Sequence, residues 1–271
     1  MPDVPSALRE YANTFEAALP GFLPRGNYPV EQAMRYSMEA GGKRIRPALV
    51  LAFCELFGGQ TEQALPFAAA IEMVHSYSLI HDDLPCMDDD DFRRGRPSCH
   101  KAFGEATALL AGDALLTEAF ACIASSEAAR ILSLAAGIHG MISGQQLDLA
   151  YENTPIARAQ LEDMNRKKTG ALLLAACDLG CLAAGIDHHD PKRHAADDYA
   201  DSLGLLFQLT DDLLDADEEP GKATWISVLG IEQAKAEAQS LAQKARDAIA
   251  PYAGPGHFLY DLPEWLILRN S

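Results

Sequence analysis

Six aspartates fall within ten positions, Asp82 to Asp91, in the stretch SLIHDDLPCMDDDDFRRG, and Arg93 and Arg94 follow almost at once. A second acidic set, QLTDDLLD, puts Asp211 and Asp215 four residues apart on one helix face, with Asp212 beside them. Like charges at that spacing destabilise a helix, and no lysine or arginine follows within a turn to offset them. A hard divalent cation is the economical counter-charge, because Mg²⁺ takes carboxylate oxygens together with phosphate oxygens and water. An EF-hand is excluded for the first stretch, since no glycine sits at the sixth loop position and no glutamate closes the loop.

Basic residues stand beside these acids. The planar fork of arginine suits phosphate oxygens, so Arg93 and Arg94 next to a metal cluster form a place to hold a diphosphate. GGKRIRP, residues 41–47, opens a helix with Lys43, Arg44 and Arg46, and a helix N-terminus after two glycines is a second anion site. Two acidic clusters for metal and two basic clusters for phosphate describe an enzyme that binds two phosphorylated substrates. His75 lies on an apolar helix seven residues before Asp82. His81, His100 and the pair His188-His189 are read as structural or solvated.

The elements that position these groups are helices. The chain of 271 residues is nearly half hydrophobic and poor in aromatics, and alanine and leucine favour helix. Apolar periodicity and breakers predict helices over 5–19, 29–41, 45–57, 61–83, 105–124, 127–150, 156–185, 192–217, 226–249 and 262–269. The segment from Leu65 to Leu79 is apolar nearly all round, as a buried central helix is. No stretch alternates with period two, so no sheet is expected. No linker or shift in composition marks a second domain, and residues 1–271 read as one all-α unit. The formal charge of −17 excludes nucleic acid and anionic lipid as general partners. Six cysteines form no CxxC pair, the N-terminus has no apolar signal segment, and the longest apolar run carries Asp178. A cytoplasmic protein with no stable membrane insertion is expected.

GGKRIRP, EMVHSYSLIHDDLPCMDDDDFRRG, LLAGDALL, KKTGALL and FQLTDDLLD, in that order, resemble the short-chain trans-isoprenyl diphosphate synthases, and the bacterial farnesyl type in particular. The resemblance runs from about residue 29 to the C-terminus. It implies an all-α, single-domain bundle around a deep central cavity, commonly a homodimer, whose two aspartate motifs face each other and hold about three Mg²⁺ ions when an allylic diphosphate is bound. On it Asp82, Asp88 and Asp211 are metal ligands, and Asp83, Asp212 and Asp215 ligate directly or through water. Arg93, Lys168 and Lys222 bind the allylic diphosphate. Lys43, Arg46, His75 and Arg94 bind the diphosphate of isopentenyl diphosphate, and Thr169 and Gln208 line the reacting centre. The implied reaction condenses isopentenyl diphosphate with dimethylallyl or geranyl diphosphate to give farnesyl diphosphate.

Tyr77, fifth before Asp82, with Ser76 before it, is the expected wall that stops the growing chain. Its bulk favours a C15 over a C20 product. A geranylgeranyl synthase is the alternative, and a non-catalytic diphosphate-binding partner subunit a more distant one. The chain departs from the family pattern in two loops. The connection from Asp215 to Gly221-Lys222 is short and lacks one expected lysine, and the connection near Ser125-Ser126-Glu127 is short as well. Both are expected to reflect loop residues left out of the chain rather than deletions that weaken the enzyme. On the resemblance, Arg269 near the C-terminus stands where the family carries a basic tail near the isopentenyl site.

Overall fold

The computed structural model describes residues 3–214 and 223–269. Helices α1 (Val4–Ala18), α2 (Pro29–Met38), α3 (Ile45–Leu56) and α4 (Thr61–Asp82) are followed by a two-stranded ribbon, β1 (Phe92–Arg93) and β2 (Arg96–Pro97). After it come α5 (Cys99–Phe103), α6 (Glu105–Ala121), α7 (Ser126–Ala136), α8 (Met141–Tyr151), α9 (Arg158–Asn165), a π turn (Arg166–Gly170) and α10 (Ala171–Ala183). The chain continues through α11 (Pro191–Leu214), α12 (Trp225–Leu229), α13 (Ile231–Ile249) and α14 (Phe258–Leu268). The all-α expectation is borne out, and buried residues of these helices form one contiguous core.

Helix α4 is the axis of that core. Every residue from Ala68 to Val74 is buried, and α3, α6 and α10 pack around it. A helix with no polar face can only be covered on all sides. Glu72 is the one charged group in that run, 1 % exposed, and it is answered by Arg44, whose Nη1 lies 2.6 Å from Glu72 Oε1. Arg44 also donates through Nε to Glu16 at 2.9 Å and through Nη2 to the Met38 carbonyl. The basic cluster at 41–47 is thus divided. Arg44 is a buried ion-pair partner, held in the left-handed region at φ 50°, and it does not face a substrate cavity.

Four expectations are corrected, one being the helix predicted over 226–249, which breaks at Gly230 into α12 and α13. The helix predicted over 127–150 breaks into α7 and α8 between Gly137 and Gly140. There the chain doubles back so tightly that a Cβ on Gly140 would stand 2.1 Å from the Ala135 carbonyl oxygen, so only glycine fits. The helix predicted over 156–185 is interrupted by the π turn at 166–170. The ribbon β1–β2 was not expected, because strands of two residues are too short for period two to show. Its turn residues, Arg94 and Gly95, take φ of 54° and 73°, and positive φ at both central positions is the hairpin turn that matches the twist of paired strands.

Candidate active site

A cavity of about 600 Å³ opens between α4, α8 and the π turn, with α6 behind it. Arg46, His75, Asp82, Lys168 and Thr169 give it a polar side. Tyr77, Leu116, Met141, Ile142 and Leu149 give it an apolar one. Both halves come from the same helices, because α4 and α8 each carry polar and apolar residues on the face turned to the cavity.

Asp82 ends α4. Burial pushes its carboxyl up to about 6, with Asp88 and Asp83 adding to the rise and Lys168 and Arg93 opposing it. The Asp88 backbone N–H donates to the Asp82 carbonyl at 2.8 Å, so the LPCM segment curls back and Asp88, itself exposed, returns beside the helix end. Asp83 has a different setting. It is 2 % exposed and takes a salt bridge from Arg93, whose Nε lies 2.9 Å from Asp83 Oδ1. Arg93 also reaches Asp90 at 2.9 Å. Burial lowers the Arg93 pKa, but the hydrogen bond and charge of Asp83 more than offset it, and the guanidinium is held charged. The structure therefore places Asp83 behind Arg93 rather than on the cavity wall.

Also on the polar side, Lys168 Nζ bonds Asp148 Oδ2 on α8, and its charge is felt by Asp82. Two glycines bring this segment in. A Cβ on Gly144 would stand 2.1 Å from Lys168 N, and one on Gly204 would stand 2.7 Å from Gly170 Cα. The π turn is thus pinched between α8 and α11, which aims Lys168 and Thr169 into the cavity. π-bulges recur at functional positions because the extra residue re-aims its neighbours. Thr169 Oγ1 donates to Gln208 Oε1 at 3.2 Å, and Gln208 Nε2 donates to Asp212 Oδ1 at 3.0 Å. Asp212 Oδ2 accepts the Trp225 backbone N–H at 2.7 Å. Gln208 therefore stands behind Thr169 and lines no part of the cavity, and Asp212 ties α11 to α12.

Asp211 is bridged by Arg269, which stacks over the Phe207 ring at 4.9 Å. Its charge reaches Arg46, where burial and Arg94 lower the pKa to about 10 while Glu72 and Asp211 raise it. Arg46 Nε is buried with no hydrogen-bond partner, an orphaned donor on the cavity wall. His75 is held neutral by burial and by the charges of Arg46, Arg94, Arg44 and Arg93. Arg94 donates to the Gly41 carbonyl and crosses Gly42 so closely that a Cβ there would lie 2.7 Å from Arg94 Cζ. It lines a small separate pocket with Ser76, Asp83 and Arg93. Lys43 lies exposed on the loop before α3.

Ser76 and Tyr77, paired in the sequence reading, thus face different spaces. Tyr77 is buried on the large cavity, its ring edge-on to His81 at 5.7 Å and its hydroxyl without a partner. Burial and the Asp82 charge raise the Tyr77 phenol to about 12. Asp215 and Lys222 lie outside the described residues. Sequence reasoning missed Asp148 and Gln145, which a polar GQQLD inside the apolar run of α8 signals, and it read His81 as structural although the ring lines the cavity.

The fold and site agree with known proteins. The polyprenyl synthetase family model matches residues 28–249. The chain is 42 % identical to the farnesyl diphosphate synthase of Escherichia coli, covering 99 % of this chain and all of that one. The alignment runs over 302 positions against 271 residues here, so the relative carries stretches this chain lacks. The structure is similar to an FPP/GFPP synthase from Zymomonas mobilis (TM-score 0.90, 36 % identity, 98 % and 99 % of the two chains). It is also similar to a geranyltransferase from Helicobacter pylori complexed with magnesium and isoprenyl diphosphate (TM-score 0.82, 33 % identity, 97 % and 96 %). With the motifs, the helical frame and these matches in agreement, the chain belongs to the polyprenyl synthetase family.

Proposed function

We propose that the protein condenses isopentenyl diphosphate with dimethylallyl and then geranyl diphosphate in 1′-4 fashion and releases farnesyl diphosphate. The observation that carries this reading is one cavity with carboxylate and cationic groups on one side and an apolar lining that includes the Tyr77 ring on the other. A diphosphate head and a hydrocarbon tail need those two linings together.

The donor set fits magnesium. Asp82, Asp88 and Asp211 offer only hard carboxylate oxygens, and Asp82, raised to about 6 by burial despite the nearby charges of Lys168 and Arg93, is an acid that a bound cation would hold ionised. Mg²⁺ held by these carboxylates, about three ions in this reading, would supply the positive charge that offsets the departing diphosphate. Lys168 and Arg93 hold the allylic diphosphate and stabilise the charge that develops as its C–O bond breaks. Arg46, with its orphaned donor, binds the second diphosphate with His75, Arg94 and Lys43. Neutral His75 adds one N–H donor without a further charge. The apolar lining keeps water from the allylic cation. The terminal double bond of isopentenyl diphosphate then attacks C1, and the tertiary cation loses a proton to the released diphosphate. Thr169, fixed through Gln208, steadies the cation. Asp83 acts by holding Arg93, and Asp212 by holding Gln208. Asp215 and Lys222 complete the metal and allylic sites in this reading.

Residues 1–271 act as one domain in this reading. No described helix is long and apolar enough to cross a membrane, and a cytoplasmic location agrees with that. Exposed Leu109, Leu110, Leu134 and Ile138 support a homodimer. The test is mass spectrometry of products after incubation with isopentenyl diphosphate, dimethylallyl diphosphate and Mg²⁺, with an EDTA control. A metal-dependent C15 product supports the proposal. A C20 product refutes the chain-length reading, and no product refutes the activity.

A further inference from the structure

Three side chains outside the groups assigned above converge at the base of the ribbon. Asp89, Asp91 and His100 each present a ligand atom, and those atoms all lie within 4.8 Å of one another. His100 is 5 % exposed and sits at the start of α5, with its Nδ1 3.1 Å from Ser98 Oγ. Its Nε2 is buried without any hydrogen-bond partner and points at Asp89 Oδ1, 4.0 Å away. A buried imidazole nitrogen left unpaired is costly, and here it faces two carboxylates across a gap too long for a hydrogen bond.

The backbone is arranged to make this gap. Asp89 takes φ 52°, the left-handed region that turns its side chain back toward α5. The Ser98 N–H donates to the Asp91 carbonyl at 2.9 Å, which closes the ribbon and sets Asp91 beside His100. In the tautomer whose Nδ1–H donates to Ser98 Oγ, the Nε2 lone pair faces the cluster. That is the arrangement of metal-binding histidines, whose second nitrogen is fixed by an outer hydrogen bond. Lys101 Nζ lies 2.7 Å from Asp91 Oδ1 and is the present counter-charge there.

We propose that Asp89, Asp91 and His100 form a second divalent-cation site, separate from the diphosphate-binding carboxylates and selective for a borderline ion such as Zn²⁺ or Co²⁺ over Mg²⁺. The selectivity follows from the ligands, since imidazole suits Zn²⁺, Co²⁺ and Ni²⁺, whereas Mg²⁺ prefers oxygen alone. A cation here displaces Lys101 from Asp91 and fastens the acidic loop to α5. The ribbon between those anchors carries Arg93 and Arg94 at its tip, so occupancy holds both arginines in register.

The test is titration with Co²⁺ alone, without diphosphate, read by visible absorption and calorimetry. Asp82→Asn/Asp211→Asn removes one carboxylate from each of the two aspartate motifs assigned to magnesium. In that background one Co²⁺ per chain is expected to remain bound in millimolar Mg²⁺, with a spectrum showing nitrogen ligation. Adding Asp89→Asn is expected to weaken it by at least about tenfold. Asparagine tolerates positive φ and Asp89 is exposed, so this variant folds; unchanged urea unfolding checks it. Loss of all Co²⁺ binding in the Asp82→Asn/Asp211→Asn background overturns the proposal, as does an affinity indifferent to Asp89→Asn. Neither result bears on the synthase reading, which stands on product formation with Mg²⁺.

Discussion

Removing the acid at the end of α4 is expected to stabilise the metal-free protein while abolishing its use of metal. The carboxyl of Asp82 is pushed up from the ordinary 3.8 to about 6, first by burial and then by Asp88 and Asp83, with Lys168 and Arg93 opposing. Well below pH 3.8 the group is protonated in folded and unfolded chains alike, and it costs nothing. As pH rises the unfolded chain ionises freely, while the folded one resists until about pH 6. Above pH 7 the cost is complete, roughly 3 kcal/mol at 1.36 kcal/mol per pH unit. Asp82→Asn keeps the shape and discards the charge, and partial solvation of the site trims the gain to about 2 kcal/mol. Urea unfolding followed by circular dichroism in EDTA should show the variant more stable than wild type at pH 8 and nearly equal to it at pH 3. Added Mg²⁺ should raise the stability of wild type and leave the variant unmoved, because only the wild type binds it in the folded state. A variant less stable than wild type at pH 8, or a difference independent of pH, refutes the reasoning.

Breaking the buried pair below the cavity should have the opposite sign. Arg44→Met leaves Glu72 charged and alone and is expected to cost about 3–5 kcal/mol by urea unfolding, whereas Arg44→Met/Glu72→Met should recover most of it. Gly144→Ala is expected to lower kcat at least about tenfold with little change in far-UV dichroism, because its methyl meets Lys168 N and moves the π turn that aims Lys168 and Thr169. Tyr77→Ala opens the apolar half of the cavity, and product analysis should show a shift from C15 to longer chains. A product distribution identical to wild type removes Tyr77 as the wall.

Much of this was legible in the residues. The apolar run of α4 gave its central position, since a helix without a polar face has nowhere else to go. The aspartates and basic groups marked the charged side of the cavity. What the pattern could not separate was neighbours. Asp82 and Asp83 are alike in type, yet one faces the cavity and the other is buried against Arg93. Arg44 and Arg46 are two apart, yet Arg44 serves Glu72. These divisions depend on helix phase at a terminus, where spacing arguments lose a reference. The π turn was invisible for a related reason. It arises because Gly144 and Gly204 let other helices close on it, and no local propensity encodes that pressure. Asp148 could have been found, since an acid inside an apolar helix requires a partner.

Helix α4 turns by roughly 100° per residue, so adjacent codons address separate compartments. Ser76 belongs with Arg94 in the small pocket, and Tyr77 with the large cavity. Mutational drift at one position is therefore insulated from the other. A lineage can resize its hydrocarbon compartment by a single substitution while its charged apparatus stays under unchanged selection. Diversity of products then becomes cheap to explore, while the ionic half of the molecule evolves slowly.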